Sequence, residues 1–320
     1  MAARRRLSRQ QQRRIHKSRD NIDLDDPLNH PGRVISHRGG LVEVETTADQ
    51  ATVQCTLRSN LGDIVAGDRV VVREDESGQP AIIALQARDN LLRRQDGFGQ
   101  AKSVAANITQ LIVCLAVEPE PNLFLLDQYL LSAEQQNIDA VILLNKVDLL
   151  SAQDDPFRLQ AIYSPMGYRM LHTSIKGDLG MDNLRAICAR QVNVISGVSG
   201  VGKSSLTKAL LPDIEIRIGE ISQASGEGRH TTRTSRLYHL PCGGDLIDTP
   251  GVRGFNPVID DQQDLAEGFR DLRNIAQHCR FANCRHFNEP GCAVASAIVQ
   301  GSLPVSRYEH YRKMLDAKQA

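Results

Sequence analysis

The segment Gly197-Val198-Ser199-Gly200-Val201-Gly202-Lys203-Ser204 constrains this chain more than any other. It fits the pattern G-x-x-x-x-G-K-[ST]. The segment Val192-Asn193-Val194-Ile195 reads as a strand before it, and 204–211 reads as a helix after it, which is the context the pattern needs. A chain with this loop is therefore expected to build an α/β domain around a mostly parallel sheet. The glycines let successive backbone N–H groups turn inward around an anion, and the helix start adds the positive end of its dipole. Lys203 is expected at the β- and γ-phosphates of a nucleotide. The Ser204 hydroxyl is expected on magnesium, with Ser205 beside it on the first turn.

A phosphate loop selects a nucleotide but not a base. The base is expected from Asn145-Lys146-Val147-Asp148, which follows the apolar run 140–144 and so lies at the carboxyl edge of the sheet. Asp148 can accept from the N1–H and the exocyclic amine of guanine. Adenine would leave that carboxylate unpaired, a difference that can reach roughly 10⁴-fold. Asn145 is expected at the base edge, with the Lys146 stem over the ring. Thr173-Ser174-Ile175-Lys176 reads as a second base-binding segment, with Ser174 in contact with the guanine side. A phosphate-loop kinase or ATPase would account for 197–204 and leave 145–148 unexplained.

Asp248-Thr249-Pro250-Gly251 follows a third apolar run and fits D-x-x-G. Asp248 is expected to hold magnesium through water, and the Gly251 N–H to sense the γ-phosphate. Gly228-Arg229-His230-Thr231-Thr232 precedes it in a polar stretch suited to a switch loop that closes on magnesium and γ-phosphate. Thr232 is the first choice for that contact and Thr231 the second. Val252 stands where many GTPases carry a Gln that orients the attacking water. Intrinsic hydrolysis is therefore expected to be slow, with His230 the nearest substitute.

These motifs do not stand in the common order of phosphate loop, switch threonine, D-x-x-G, N-K-x-D. Here N-K-V-D (145) and T-S-I-K (173) precede the loop (197), Thr232 and D-T-P-G (248). The chain reads as circularly permuted, which a sheet tolerates when the cut falls in surface loops. D-T-P-G then leads directly into the C-terminal segment, which nucleotide state is well placed to move.

Five short β-rich runs, separated by turn residues, fill 31–87 and suggest a small barrel of the OB-fold type. After residue 260 the pattern is helical and carries Cys279, Cys284, His286 and Cys292. Four soft ligands within so short a span suit a closed, structural Cys₃His zinc site, with His278 a competing ligand. The expected architecture is multi-domain. A basic arm expected to be disordered (1–30) precedes an OB-fold β-barrel (31–95), then a circularly permuted α/β phosphate-loop GTPase (96–258) and a small helical zinc-binding domain (259–320).

The formal charge is zero, but residues 1–19 hold eight basic residues and no acid, so the remainder carries 30 basic against 38 acidic. A basic arm on an acidic body points to a polyanionic partner. No run approaches the ~20 apolar residues of a membrane helix, and no apolar core follows the basic start, so neither membrane nor secretion is expected. An odd cysteine number, seven, with three beside histidines, fits a reducing cytoplasm and a metal site.

A barrel, the segments GVSGVGKSSL, GRHTT and DTPGVRGF in permuted order, and the Cys-Cys-His-Cys tail together resemble the bacterial small ribosomal subunit biogenesis GTPases of the RsgA (YjeQ, EngC) family over about residues 31–320. The resemblance implies a late-acting assembly factor that binds the small subunit and its rRNA near the decoding region. It implies GTP hydrolysis stimulated by that subunit and coupled to release. It also implies zinc on Cys279, Cys284, His286 and Cys292, a catalytic candidate at His230, and a monomer that cycles between GTP and GDP. One departure stands out. Where the family usually reads Ala-Asn-(Ile/Val)-Asp-Gln, this chain has Ala106-Asn107-Ile108-Thr109-Gln110.

Overall fold

The structure, a computed structural model, describes residues 26–317 except 58–60, 75–77, 96–98, 153, 156, 213–234, 250–257, 259–264 and 288. Strands β1 (His30–Arg38), β2 (Leu41–Thr46), β3 (Thr52–Leu57), β4 (Arg69–Glu74) and β5 (Pro80–Leu85) run in the order β1-β2-β3-β5-β4, and β4 returns to pair with β1. This is the expected five-stranded barrel. Alternate residues point inward, and Val34, Val42, Val44, Cys55, Val70 and Ile82 fill the interior. A hairpin of β6 (Leu91–Gln95) and β7 (Ala101–Ala106) forms its own two-stranded sheet, and the expected division at 95/96 falls inside its connection.

The α/β part is a six-stranded layer. Its order is β10 (Arg169–Thr173), β9 (Asp139–Asn145), β8 (Gln110–Ala116), β11 (Val192–Ser196), β13 (Asp245–Asp248), β12 (Arg236–His239). All are parallel except β12. Every residue of β8 is buried, as the continuous apolar run requires of a strand covered on both faces. The layer does not stop at β12. That strand pairs with β1, so barrel and nucleotide layer share one eleven-stranded sheet. Gly67 reinforces the junction: a Cβ there would meet the Ala106 carbonyl at 2.2 Å, so only glycine allows this approach.

The helices are α1 (Leu123–Gln135), α2 (Arg158–Tyr163), α3 (Met181–Cys188), α4 (Lys203–Leu210), α5 (Arg270–Ala276), α6 (Ala293–Val299) and α7 (Val305–Ala317). Asn122 caps α1 by accepting from the Leu125 N–H at 3.0 Å. Leu126, Tyr129, Leu130 and Ala133 of α1 join the core against the sheet, while Leu131 joins the core of α5–α7. One helix is thus shared by two cores. The helices expected over 124–136 and 204–211 are each found one residue earlier.

Thr109 has a clear local task. Its Oγ1 accepts from the Val192 N–H at 2.9 Å and donates to Gln191 Oε1 at 2.5 Å, tying the start of β8 to β11. An aspartate could accept the same N–H, but when ionised it has no proton for the Gln191 oxygen.

Candidate functional site

The carboxyl ends of β8, β9, β10, β11 and β13 converge on the loop 197–202, which turns β11 into α4. Two of its glycines are required by contact. Gly197 has φ +145°, and a Cβ would lie 2.2 Å from the Cys114 carbonyl of β8. Gly202 has φ +96°, and a Cβ would lie 2.4 Å from Asn145 Nδ2. The loop is therefore seated directly on β8 and on the Asn145 segment. Lys203 Nζ donates to the carbonyls of Gly197 (2.8 Å) and Val198 (2.6 Å), so its ammonium lies over the loop it closes. Ser204 and Ser205 are exposed on the first turn of α4, Val201 is buried, and Ser199 and Gly200 form the turn between.

Asn145 is buried, and its side chain works inside the protein. Nδ2 donates to the Val201 carbonyl at 2.8 Å, and Oδ1 accepts from Thr173 Oγ1 at 3.1 Å. These internal contacts use one amide proton and one oxygen lone pair, and leave the other of each for the base-edge contact expected of Asn145. The amide here joins phosphate loop, N-K-V-D segment and T-S-I-K segment into one unit. Lys146 adopts the left-handed conformation (φ 59°) and donates from Nζ to the Glu118 carbonyl at 2.7 Å. Val147 and Asp148 form a short 3₁₀ turn.

Asp148 Oδ1 accepts from Ser174 Oγ at 2.5 Å, and Lys176 Nζ lies 3.8 Å from Oδ2. The Ser174 hydrogen bond, helped by the nearby lysines, holds this carboxyl below its ordinary value, so it stays an ionised acceptor. Asp248, at the end of β13, behaves oppositely. Burial raises its carboxyl, while the Thr249 backbone and Lys203 draw it back. A half-desolvated carboxylate beside one lysine is suited to a cation. His230, Thr231, Thr232 and Gly251 lie outside the described residues. A small cavity bounded by Pro119, Leu125, Leu126, Tyr129, Gly197 and Val198 separates the loop from α1. Cys114 and the Glu118 carbonyl support the site through backbone contacts, which no residue-type signal reveals.

A second cluster lies about the α5–α6 connection. Ligand atoms of Cys279, Cys284, His286 and Cys292 all lie within 4.8 Å of one another. His286 Nδ1 is 3.5 Å from Cys279 Sγ and 3.6 Å from Cys292 Sγ. A tetrahedral zinc with bonds of about 2.3 Å to sulfur and about 2.0 Å to nitrogen would space such ligands by about 3.5 Å. The backbone N–H of Ala293 points to Cys279 Sγ and that of Ala295 to Cys292 Sγ, an environment for thiolates. Burial keeps the His286 imidazole neutral, the ligating form. The cluster could hold a metal ion.

A profile described as RsgA GTPase matches residues 85–257. A protein of Chromohalobacter salexigens named small ribosomal subunit biogenesis GTPase RsgA is 42% identical, over 98% of both chains. One of the same name from Saccharophagus degradans is 41% identical, over 98% of this chain and 97% of its own. Among solved structures, YjeQ from Thermotoga maritima superposes with a TM-score of 0.73 at 31% identity, over 91% of this chain and 98% of its own. YloQ, described as a circularly permuted GTPase, gives 0.72 at 26% identity, over 93% and 97%.

Proposed function

Because this chain belongs to the RsgA GTPase family, we propose that it is a GTP-hydrolysing factor for late maturation of the small ribosomal subunit, stimulated by that subunit and released on hydrolysis. The observation that carries the reading is the bridge at Asn145, which brings the N-K-V-D and T-S-I-K segments onto the phosphate loop despite their reversed order.

In this reading Asp148, fixed by Ser174, recognises guanine. The 197–202 backbone, Lys203, Ser204 and Ser205 receive the phosphates. Ser204 and Asp248 take magnesium, joined by Thr232, and the Gly251 N–H meets the γ-phosphate. Magnesium supplies charge neutralisation at the β- and γ-phosphates. Lys203 changes partners, giving up two loop carbonyls for phosphate oxygens, so its charge is already where negative charge develops. Val252 leaves the attacking water without a glutamine, which makes His230 the candidate for orienting it and accounts for dependence on the subunit. Zinc on Cys279, Cys284, His286 and Cys292 is structural. The barrel and the basic arm meet rRNA, and the protein acts as a cytoplasmic monomer.

The test is GTP hydrolysis by the purified chain alone, with small subunits, and with large subunits, using ATP as the competing substrate. Slow GTP turnover that rises only with small subunits is expected. A rate indifferent to ribosomes would remove the assembly role, and equal use of ATP would remove the base assignment.

A further inference from the structure

Asp248 has a neighbour that the reaction as described does not use. β12 pairs with β13 so that Arg236 stands opposite Asp248, and the register pair between β12 and β1 joins the same Arg236 to Ser36. Ser36, Arg236 and Asp248 therefore form one row across three strands, running from the barrel to the nucleotide site. Side chains directly opposite in an antiparallel pair share a face, with Cβ atoms about 4.5–5.5 Å apart. An arginine so placed is long enough to reach the aspartate.

Here it turns the other way. The Arg236 guanidinium pairs with Glu43 on β2 of the barrel, and Ser36 Oγ donates to the same Glu43 oxygen at 2.7 Å. Both charged side chains are about two-thirds shielded, 33% exposed for Arg236 and 28% for Glu43. Tyr238, two residues along β12, lies under the guanidinium at 5.8 Å and feels the charges of Asp248, Arg236 and Glu43, which places them on one face. The side-chain cation that draws on Asp248 itself is Lys203.

We infer that Glu43 of the barrel holds Arg236 off Asp248 and thereby keeps that carboxylate available to magnesium. Without Glu43, Arg236 becomes an internal cation competing for the same oxygen atoms. The seating of the barrel then sets how much magnesium the GTPase site needs, and Arg236 is the positioning residue that links the two. The inference rests on reading Asp248 as a magnesium ligand.

The experiment is a magnesium titration of the full chain carrying Glu43→Gln, Arg236→Gln, both together, or Asp248→Asn, read both as GTP hydrolysis and as the magnesium dependence of binding a fluorescent non-hydrolysable GTP analogue, with thermal melts confirming the fold of each. Glu43→Gln is expected to raise the magnesium needed for half-maximal rate by about five-fold, the scale of a partly exposed ion pair. Adding Arg236→Gln is expected to return it to the wild-type value. Glu43→Asp, a gentler change, should shift it in the same direction. An unchanged requirement in both Glu43 variants overturns the inference, as does a double variant that behaves like Glu43→Gln alone. Asp248→Asn separates the two levels: if it leaves the magnesium requirement unchanged, the ligand assignment itself fails.

Discussion

At the scale of single residues, base recognition rests on the ionisation of Asp148. The Ser174 hydroxyl holds that carboxyl below its ordinary 3.8, so it remains a double acceptor at pH values where a free aspartate begins to protonate. Ser174→Ala should therefore move the acid limb of GTP binding to higher pH, measured by fluorescence titration with a GTP analogue. Asp148→Asn keeps the shape but presents an amide donor where guanine also donates. GTP affinity should fall by about 10²–10⁴-fold, and xanthosine triphosphate, whose C2 carbonyl accepts, should bind better than GTP. Asp148 was legible because its tetrapeptide and the loop imply each other. The internal task of Asn145 was not, since its partner Val201 is distant in the chain and is met through a backbone carbonyl.

At the scale of elements, α5 and α6 are seven residues each, well short of what an isolated helix needs to persist. Burial pushes the Cys284 thiol up to about 12, with the sulfurs of Cys292 and Cys279 acting the same way, a cost that a bound cation would relieve. Chelation at neutral pH should abolish hydrogen-exchange protection across 265–317 while leaving β8–β11 protected. Equal protection with and without chelator would remove the metal from the account. Long apolar strands such as β8 and β9 were readable as buried parallel strands. β10 and β12 were not, because Arg-Met-Leu-His-Thr and Arg-Leu-Tyr-His are short, half polar, and made strands by their neighbours. The pairing of β12 with β1 was invisible for the same reason.

At the scale of the molecule, the sequence put the C-terminal segment directly after D-T-P-G, where nucleotide state is well placed to move it. Its helices are fastened to α1. Arg307, 2% exposed on α7, pairs with Asp127 of α1 and makes a two-bond contact with Asp271 of α5 at 2.8 and 2.9 Å. Tyr163 and His310 also hold Asp127, at 2.8 and 2.6 Å. Any movement of the C-terminal unit must carry α1, which borders the cavity beside the phosphate loop. Arg307→Leu leaves Asp271 without its guanidinium partner and Asp127 with only Tyr163 and His310, and should lower unfolding stability by about 3–5 kcal/mol in chemical denaturation. A loss under about 1 kcal/mol would mean the pair contributes little beyond packing. The sheet order has a further consequence, in time instead of space. β8 sits between β9 and β11, yet the chain completes it at Ala116 and does not begin β11 until Val192. At about 5–20 residues per second, one edge of a strand that is apolar in all but its first residue stays bare for roughly 4–15 s of every synthesis. The rearranged gene order that serves the finished enzyme thus leaves each newborn copy with an unprotected edge that chaperones or quick folding must cover.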